Sequence, residues 1–120
     1  MARKRLLSPQ FFTSRSLGCS RAARLLFAGL WTLADRDGRL EWIPKLVEGQ
    51  IFPYDDDLRL SDLVVELERA ECVVRYSDDR GEYLAIPAWG TWQTPHSKES
   101  ESRIPAFDSP DVQRTQEKPG

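Results

Sequence analysis

The apolar positions of this chain recur with a spacing that changes from segment to segment. Between residues 21 and 34, Ala23, Phe27, Leu30, Trp31 and Ala34 fall on one helical stripe, which Leu26 and Leu33 widen. A stripe this wide predicts a helix buried at the centre of a domain. Ser20 stands where its hydroxyl caps the free N–H groups of the first turn. Asp35-Arg36-Asp37-Gly38 ends the helix, with Gly38 supplying the positive φ that such turns often need. Alternation over residues 39–42 predicts a short strand. Pro44 suits the first turn of a second helix, where its missing N–H costs nothing. Leu46, Val47 and Ile51 share the inward face of that helix, and Phe52-Pro53 closes it. Leu60, Leu63, Val64 and Leu67 predict a third helix, with Asp57 or Ser61 as its cap and residues 55–57 near the positive end of its dipole. Two β-prone runs, residues 72–76 and 82–86, flank a five-residue loop containing Gly81 and predict a hairpin.

Outside this frame the pattern is weaker. Leu7-Ser8-Pro9 does not continue a helix, because proline disfavours helical geometry at the residue before it. Residues 1–19 therefore read as a basic arm with Phe11 and Phe12 as an apolar anchor. From Trp89 the periodicity fades, and residues 97–120 form a polar tail, largely disordered after about residue 108. The folded unit, residues 20–96, is α+β. Its order of helix, strand, helix, helix, strand, strand is that of a winged helix, a helix-turn-helix with a β-hairpin wing.

Composition narrows the function classes. With 40% apolar and 30% charged residues among 120, the chain is too apolar for full disorder and long enough for one small domain. The longest nearly apolar run, residues 25–34, is about half of what a membrane span requires, and no apolar segment of the signal-peptide kind follows Arg3-Lys4-Arg5. Two cysteines and one histidine make neither a disulfide framework nor a zinc set, so a reduced, cytoplasmic protein is expected. The scattered glycines lack nucleotide-loop spacing, and one histidine in a proline-rich segment offers no nucleophile–base pair. No enzyme, cofactor or metal is expected. Asp35-Arg36-Asp37-Gly38 matches only the opening of a calcium loop, since Leu46 stands where the closing Glu is needed. Cys19, just ahead of a helix, reads either as a thiol of lowered pKa or as a packing residue.

Charge changes the picture most. The net charge of -2 conceals eight basic against two acidic residues in 1–39, and five against twelve in 40–87. Segregation of this kind marks a polyanion-binding face beside a face for something else. The candidate DNA contacts are Arg3, Lys4 and Arg5 in the arm, Arg21 and Arg24 at the start of the first helix, and Arg69 on the third. Arg75 and Arg80 on the wing and His96 and Lys98 in the tail complete the set. The outward face of the third helix, with Asp62, Val65, Glu66, Glu68 and Arg69, is acidic and would be repelled by phosphates. Arm and wing are therefore expected to hold the backbone, with weak base contacts at most from that helix. Arg36 and Arg39 are expected to pair with Asp35, Asp37 or Glu41. Residues 95–99 either hold a phosphate through His96 and Lys98 or pack across the core as a tail anchored by Trp89 and Trp92.

Several separate blocks also look familiar: Phe11-Phe12, Ala23-Arg24-Leu25-Leu26-Phe27, Gly29-Leu30-Trp31-Thr32, and Ala34-Asp35-Arg36-Asp37-Gly38-Arg39-Leu40-Glu41. They continue with Ile51-Phe52-Pro53-Tyr54-Asp55, Arg75-Tyr76 and Gln93-Thr94-Pro95-His96-Ser97-Lys98-Glu99. Over roughly residues 3–105 the chain resembles the amino-terminal winged-helix domain of phage and prophage replication proteins, the replication initiators and replisome organisers. The resemblance implies a non-catalytic module that binds double-stranded DNA during replication initiation in the bacterial host cytoplasm. It also implies a replicative helicase or its loader as a candidate partner. Glu71 departs from the pattern, since relatives tend to have glycine between the third helix and the first wing strand. Two other readings compete: an adaptor that docks a basic replication or host-defence partner on the acidic third helix, and a transcriptional regulator.

Overall fold

The computed structural model describes residues 2–115. Its central helix, α2 (Arg21–Leu33), begins where Ser20 stays extended and its Oγ accepts the Ala23 N–H at 3.1 Å. Ala23, Leu26, Phe27, Leu30 and Trp31 bury its inner face. Strand β1 (Arg39–Glu41), helices α3 (Pro44–Ile51) and α4 (Leu60–Arg69), and strands β2 (Val74–Asp78) and β3 (Gly81–Ala85) follow. Ahead of them come α1 (Gln10–Thr13) and a 3-10 turn (Arg15–Leu17). After them come α5 (Trp89–Trp92) and β4 (Gln113–Arg114). All pairings are antiparallel, in the order β1-β3-β2-β4. The class is α+β.

The main core gathers the inner faces of α2, α3 and α4 with Leu40, Val73, Leu84 and Ile86. Phe11 does anchor the N-terminal segment, packing edge-on to Trp31 at 5.4 Å, while Trp31 stacks on Trp92 at 5.5 Å. Gly29 lets α3 approach α2, because a Cβ there would lie 2.8 Å from the Ile51 side chain. This close seat is made by Val47 and Ile51, and Leu46 turns outward, 63% exposed, contrary to the shared inward face expected for it. In α4, neither Asp57 nor Ser61 is the cap. Burial of Leu60 sets the phase so that Arg59 takes that position, without a side-chain bond. Asp55, Asp56 and Asp57 precede it in an exposed loop.

The hairpin is tighter than the alternation suggests. Asp78 pairs with Gly81, leaving Asp79 and Arg80 as a two-residue turn. The Asp78 carboxylate makes this possible by accepting the N–H groups of Arg80 (2.8 Å) and Gly81 (3.2 Å) and the Tyr83 hydroxyl (2.9 Å).

Helix α4 ends on Glu71 at φ 60, with the Cys72 N–H donating to Leu67 O at 2.9 Å. This is a left-handed helix stop built on a residue with a Cβ. Glu71→Gly is expected to stabilise the fold by about 1 kcal/mol by relieving that conformation. Urea denaturation measures it, and an unchanged or lower midpoint would refute the assignment of strain there.

The largest departure concerns the tail. Disorder after about residue 108 does not hold for residues 109–115; residues 116–120 lie outside the described residues. The chain from Gln93 onward straps back over the other face of the sheet, where Tyr76, Tyr83 and Ala85 pack with Val74, Ile104, Phe107 and Val112. The Tyr76 hydroxyl donates to Pro105 O at 2.7 Å, and β4 pairs with β2 through Tyr76↔Arg114 and Ser77↔Gln113. Two tyrosines on the second sheet face and the open edge of β2 supply what a polar tail lacks, namely apolar surface to cover and backbone groups to pair.

Candidate nucleic-acid interface

The three cations of the arm part ways. Arg3 and Arg5 run along the C-terminal end of α2, where the last carbonyls of a helix have no partner of their own. Arg5 donates from Nε to Trp31 O (3.1 Å) and from a terminal nitrogen to Ala34 O (3.0 Å). Arg3 donates to the same Ala34 O at 3.0 Å, and its N–H to Thr32 O at 2.8 Å. Cations at this end of a helix also complement its dipole. Glu99 completes the arrangement, its two oxygens accepting from Arg5 at 2.9 and 3.1 Å, with Arg3 at 3.5 Å. The Arg5 side chain keeps only 6% of its surface exposed and lies over the Trp89 ring at 5.2 Å. The basic arm expected from the sequence is thus a pinned segment, because helix-end carbonyls and a carboxylate 94 residues away hold the same guanidinium groups. Hydrogen bonds from Arg5 are the main reason the Glu99 carboxyl sits below the ordinary carboxylate range, against some desolvation.

Lys4, between them, is exposed. It stands across a small cleft from residues 94–96, and the buried Gln93 holds the two walls together. The Gln93 amide accepts the Leu6 N–H at 3.0 Å and donates to Leu6 O at 2.7 Å. His96 is an exposed residue of the lining, and the exposed Lys98 follows it, its N–H donating to His96 Nδ1 at 3.1 Å. Arg36 joins the group by a 3.5 Å contact to Glu99 O. Its neighbours Asp35 and Asp37 are held by other partners: Asp35 accepts from the Ser102 hydroxyl (2.5 Å) and Asp37 from the Ser102 N–H (3.0 Å). Arg39 donates to Ile104 O at 2.7 Å. Bonds to strap carbonyls therefore take the place of the local acid pairing expected for Arg36 and Arg39, since the strap brings unpaired carbonyls within reach.

The other candidates lie elsewhere. Arg21 and Arg24 sit at the opposite end of the 13-residue α2, about 20 Å from the arm. Arg24 reaches Cys19 O at 3.4 Å. Arg75 is bound to Glu68 at 2.7 Å, so this wing cation is engaged within the fold. Arg80 is exposed at the hairpin tip between Asp79 and Glu82, and Arg69 is exposed on α4. The arm thus meets residues 95–99, and the wing and the start of α2 contribute separate charges.

Helix α4 is less acidic than its sequence. Glu66 accepts from both the N–H and the hydroxyl of Ser20 at 2.9 Å, closing the N-terminus of α2, and Glu68 holds Arg75. Asp62 and Arg69 are exposed on that helix. The thiols are quiet. Burial raises the pKa of Cys19 and pushes Cys72 to about 11, against the lowered value considered for Cys19, so neither offers a thiolate near neutral pH.

Among the described residues no helix is long and apolar enough to cross a membrane, and no group of three His, Cys, Asp or Glu side chains is placed to hold a metal. Gln93 and Glu99 had no role assigned from the sequence, and Arg36 was expected only to pair with neighbouring acids. Their roles depend on partners 63 to 94 positions away, for which no local pattern exists. In comparisons with known proteins, no family model, curated protein or solved structure matches the chain.

Proposed function

We propose that the chain is a winged-helix module that binds double-stranded DNA without catalysis, of the kind used by phage and prophage replication proteins at initiation in the bacterial cytoplasm. The order α2, β1, α3, α4, β2, β3, with β1 joining the hairpin, supports the winged-helix reading. One observation carries the DNA reading: Lys4, Arg36 and Lys98, from three distant segments, are drawn with His96 to the neighbourhood of the Arg3–Arg5–Glu99 cluster. The ion pair of Glu68 with Arg75 offsets part of the repulsion that α4 would otherwise exert on phosphates. Asp62 and the exposed Asp55, Asp56 and Asp57 still leave its leading end unsuited to supplying affinity. That end, with Tyr54 96% exposed beside it, favours a second contact, a basic surface on a replicative helicase or its loader.

If Arg3, Lys4, Arg36 and Lys98 each neutralise a phosphate, log affinity falls with log salt at a slope of about -3.6. A fourfold rise in salt then weakens binding about 150-fold. In the triple variant Lys4→Ala, Arg36→Ala, Lys98→Ala, the slope drops to about -1. Fluorescence anisotropy with a synthetic duplex measures both. Affinity indifferent to salt would remove the DNA reading and leave the protein contact at the α4 end; footprinting on origin and promoter fragments separates a replication protein from a transcriptional regulator.

A further inference from the structure

The cationic patch contains one feature with a defined shape. Between the arm and residues 94–96 lies a cleft of about 240 Å³, lined by Lys4, Arg5, Leu6, Thr94, His96 and Glu99 among others. Its walls are fixed before any ligand arrives. The paired hydrogen bonds between Gln93 and the Leu6 backbone clamp the arm to residue 93. The α2 carbonyls and Glu99 hold Arg5.

Two residues of this lining carry side-chain donors that have no partner among the described residues. Lys4 contributes an ammonium group. His96 contributes Nε2, and the side on which its proton lies follows from the structure. Because Nδ1 accepts the Lys98 N–H, the neutral ring carries its hydrogen on Nε2 and donates from there. The one carboxylate in the lining, Glu99, has its oxygens bound by Arg5 and Arg3, so it offers an incoming anion little repulsion. Lys98, two residues beyond His96 and bonded to it through its N–H, adds a further positive charge nearby. A site with two unpartnered donors, its one carboxylate already bound and an excess of positive charge suits a tetrahedral oxyanion with two unesterified oxygens.

We propose that this cleft seats one phosphodiester of the DNA backbone, bridged between Lys4 Nζ and His96 Nε2; the proposal rests on the DNA-binding reading and adds the register point at which the duplex is held. A phosphate gripped between fixed walls orients the protein on the helix, whereas loosely placed lysines supply attraction alone. Arg36 and Lys98 then lie beside the phosphates that flank it.

His96 is the only histidine in the chain, which makes its ring an unambiguous reporter. Long-range ¹H–¹⁵N spectra are recorded while the full chain is titrated with a synthetic duplex carrying 5′-hydroxyl ends, so that phosphodiesters are the only phosphates present. The Nε2 signal is expected to shift in step with binding. His96→Ala is expected to weaken duplex binding about fivefold, and His96→Gln, which keeps a donor at similar reach, to recover most of that loss. Salt-dependent duplex binding with an unmoved His96 signal and an unchanged affinity for His96→Ala would overturn the cleft while leaving the DNA reading intact. Absence of binding to any duplex would overturn both.

Discussion

Arg5→Ala is expected to destabilise the protein by about 3 kcal/mol, in the range for breaking a buried ion pair by removing one partner. The guanidinium satisfies Trp31 O, Ala34 O and both Glu99 oxygens at once, so its removal strands Trp31 O and leaves Glu99 only the longer contact with Arg3. Arg5→Lys does not restore the fold, because a single ammonium does not span four acceptors arranged around a planar fork. The same contact sets an acid limit. Glu99 is held below its ordinary carboxylate value chiefly by the Arg5 hydrogen bonds. Its contribution is therefore complete above its unfolded-state pKa and is lost as pH falls through the depressed folded value. In Arg5→Ala this acid-side slope flattens. Urea denaturation across pH measures both effects. A loss below about 1 kcal/mol, the usual range for exposed pairs, would return the arm to the status of a surface segment.

Gly38→Ala is expected to cost about 3 kcal/mol, from two sources that add. At φ 76 a Cβ costs about 1–2 kcal/mol in backbone strain. That Cβ would also lie 2.7 Å from Trp89 Cγ and 2.8 Å from Cδ2, an overpacking worth about 1–3 kcal/mol. The indole has little room to retreat, since its Nε1 donates to Arg36 O at 2.7 Å and Arg5 lies over its face. The substitution therefore reaches the cationic patch as well as the turn, and duplex affinity is expected to fall with stability. Thermal melts and anisotropy on the same preparation measure the pair. Wild-type stability in Gly38→Ala would show that the turn and Trp89 are not packed as described.

Much of the architecture was legible as periodicity. The stripe Ala23, Phe27, Leu30, Trp31, the spacing of Leu60, Leu63, Val64 and Leu67, and the Ser20 cap each report on one element, and local geometry alone decides whether such a residue faces in or out. Boundaries that depended on neighbours were less legible. Leu46 turned outward because Gly29 and Ile51 fix how α3 sits on α2, and Ser61 lost the cap to the phase set by Leu60. The candidate site divided along the same line. Lys4 and Lys98 were visible as cations and His96 as a polar neighbour, whereas the partners that decide which arginines are spent were not.

From its sequence alone, this protein is an α+β chain with a buried central helix, a hairpin and a cationic N-terminal third, because burial and charge content are properties of residues and of their nearest spacing. Tertiary structure decided that Arg3 and Arg5 close a helix end, that Glu66 and Glu68 are occupied, that the tail covers the sheet, and that Lys4 and His96 line one cleft. Each of those outcomes pairs groups dozens of positions apart. A hydrogen bond or ion pair forms only where the folded backbone brings its two halves within about 3 Å, and no local pattern encodes that distance.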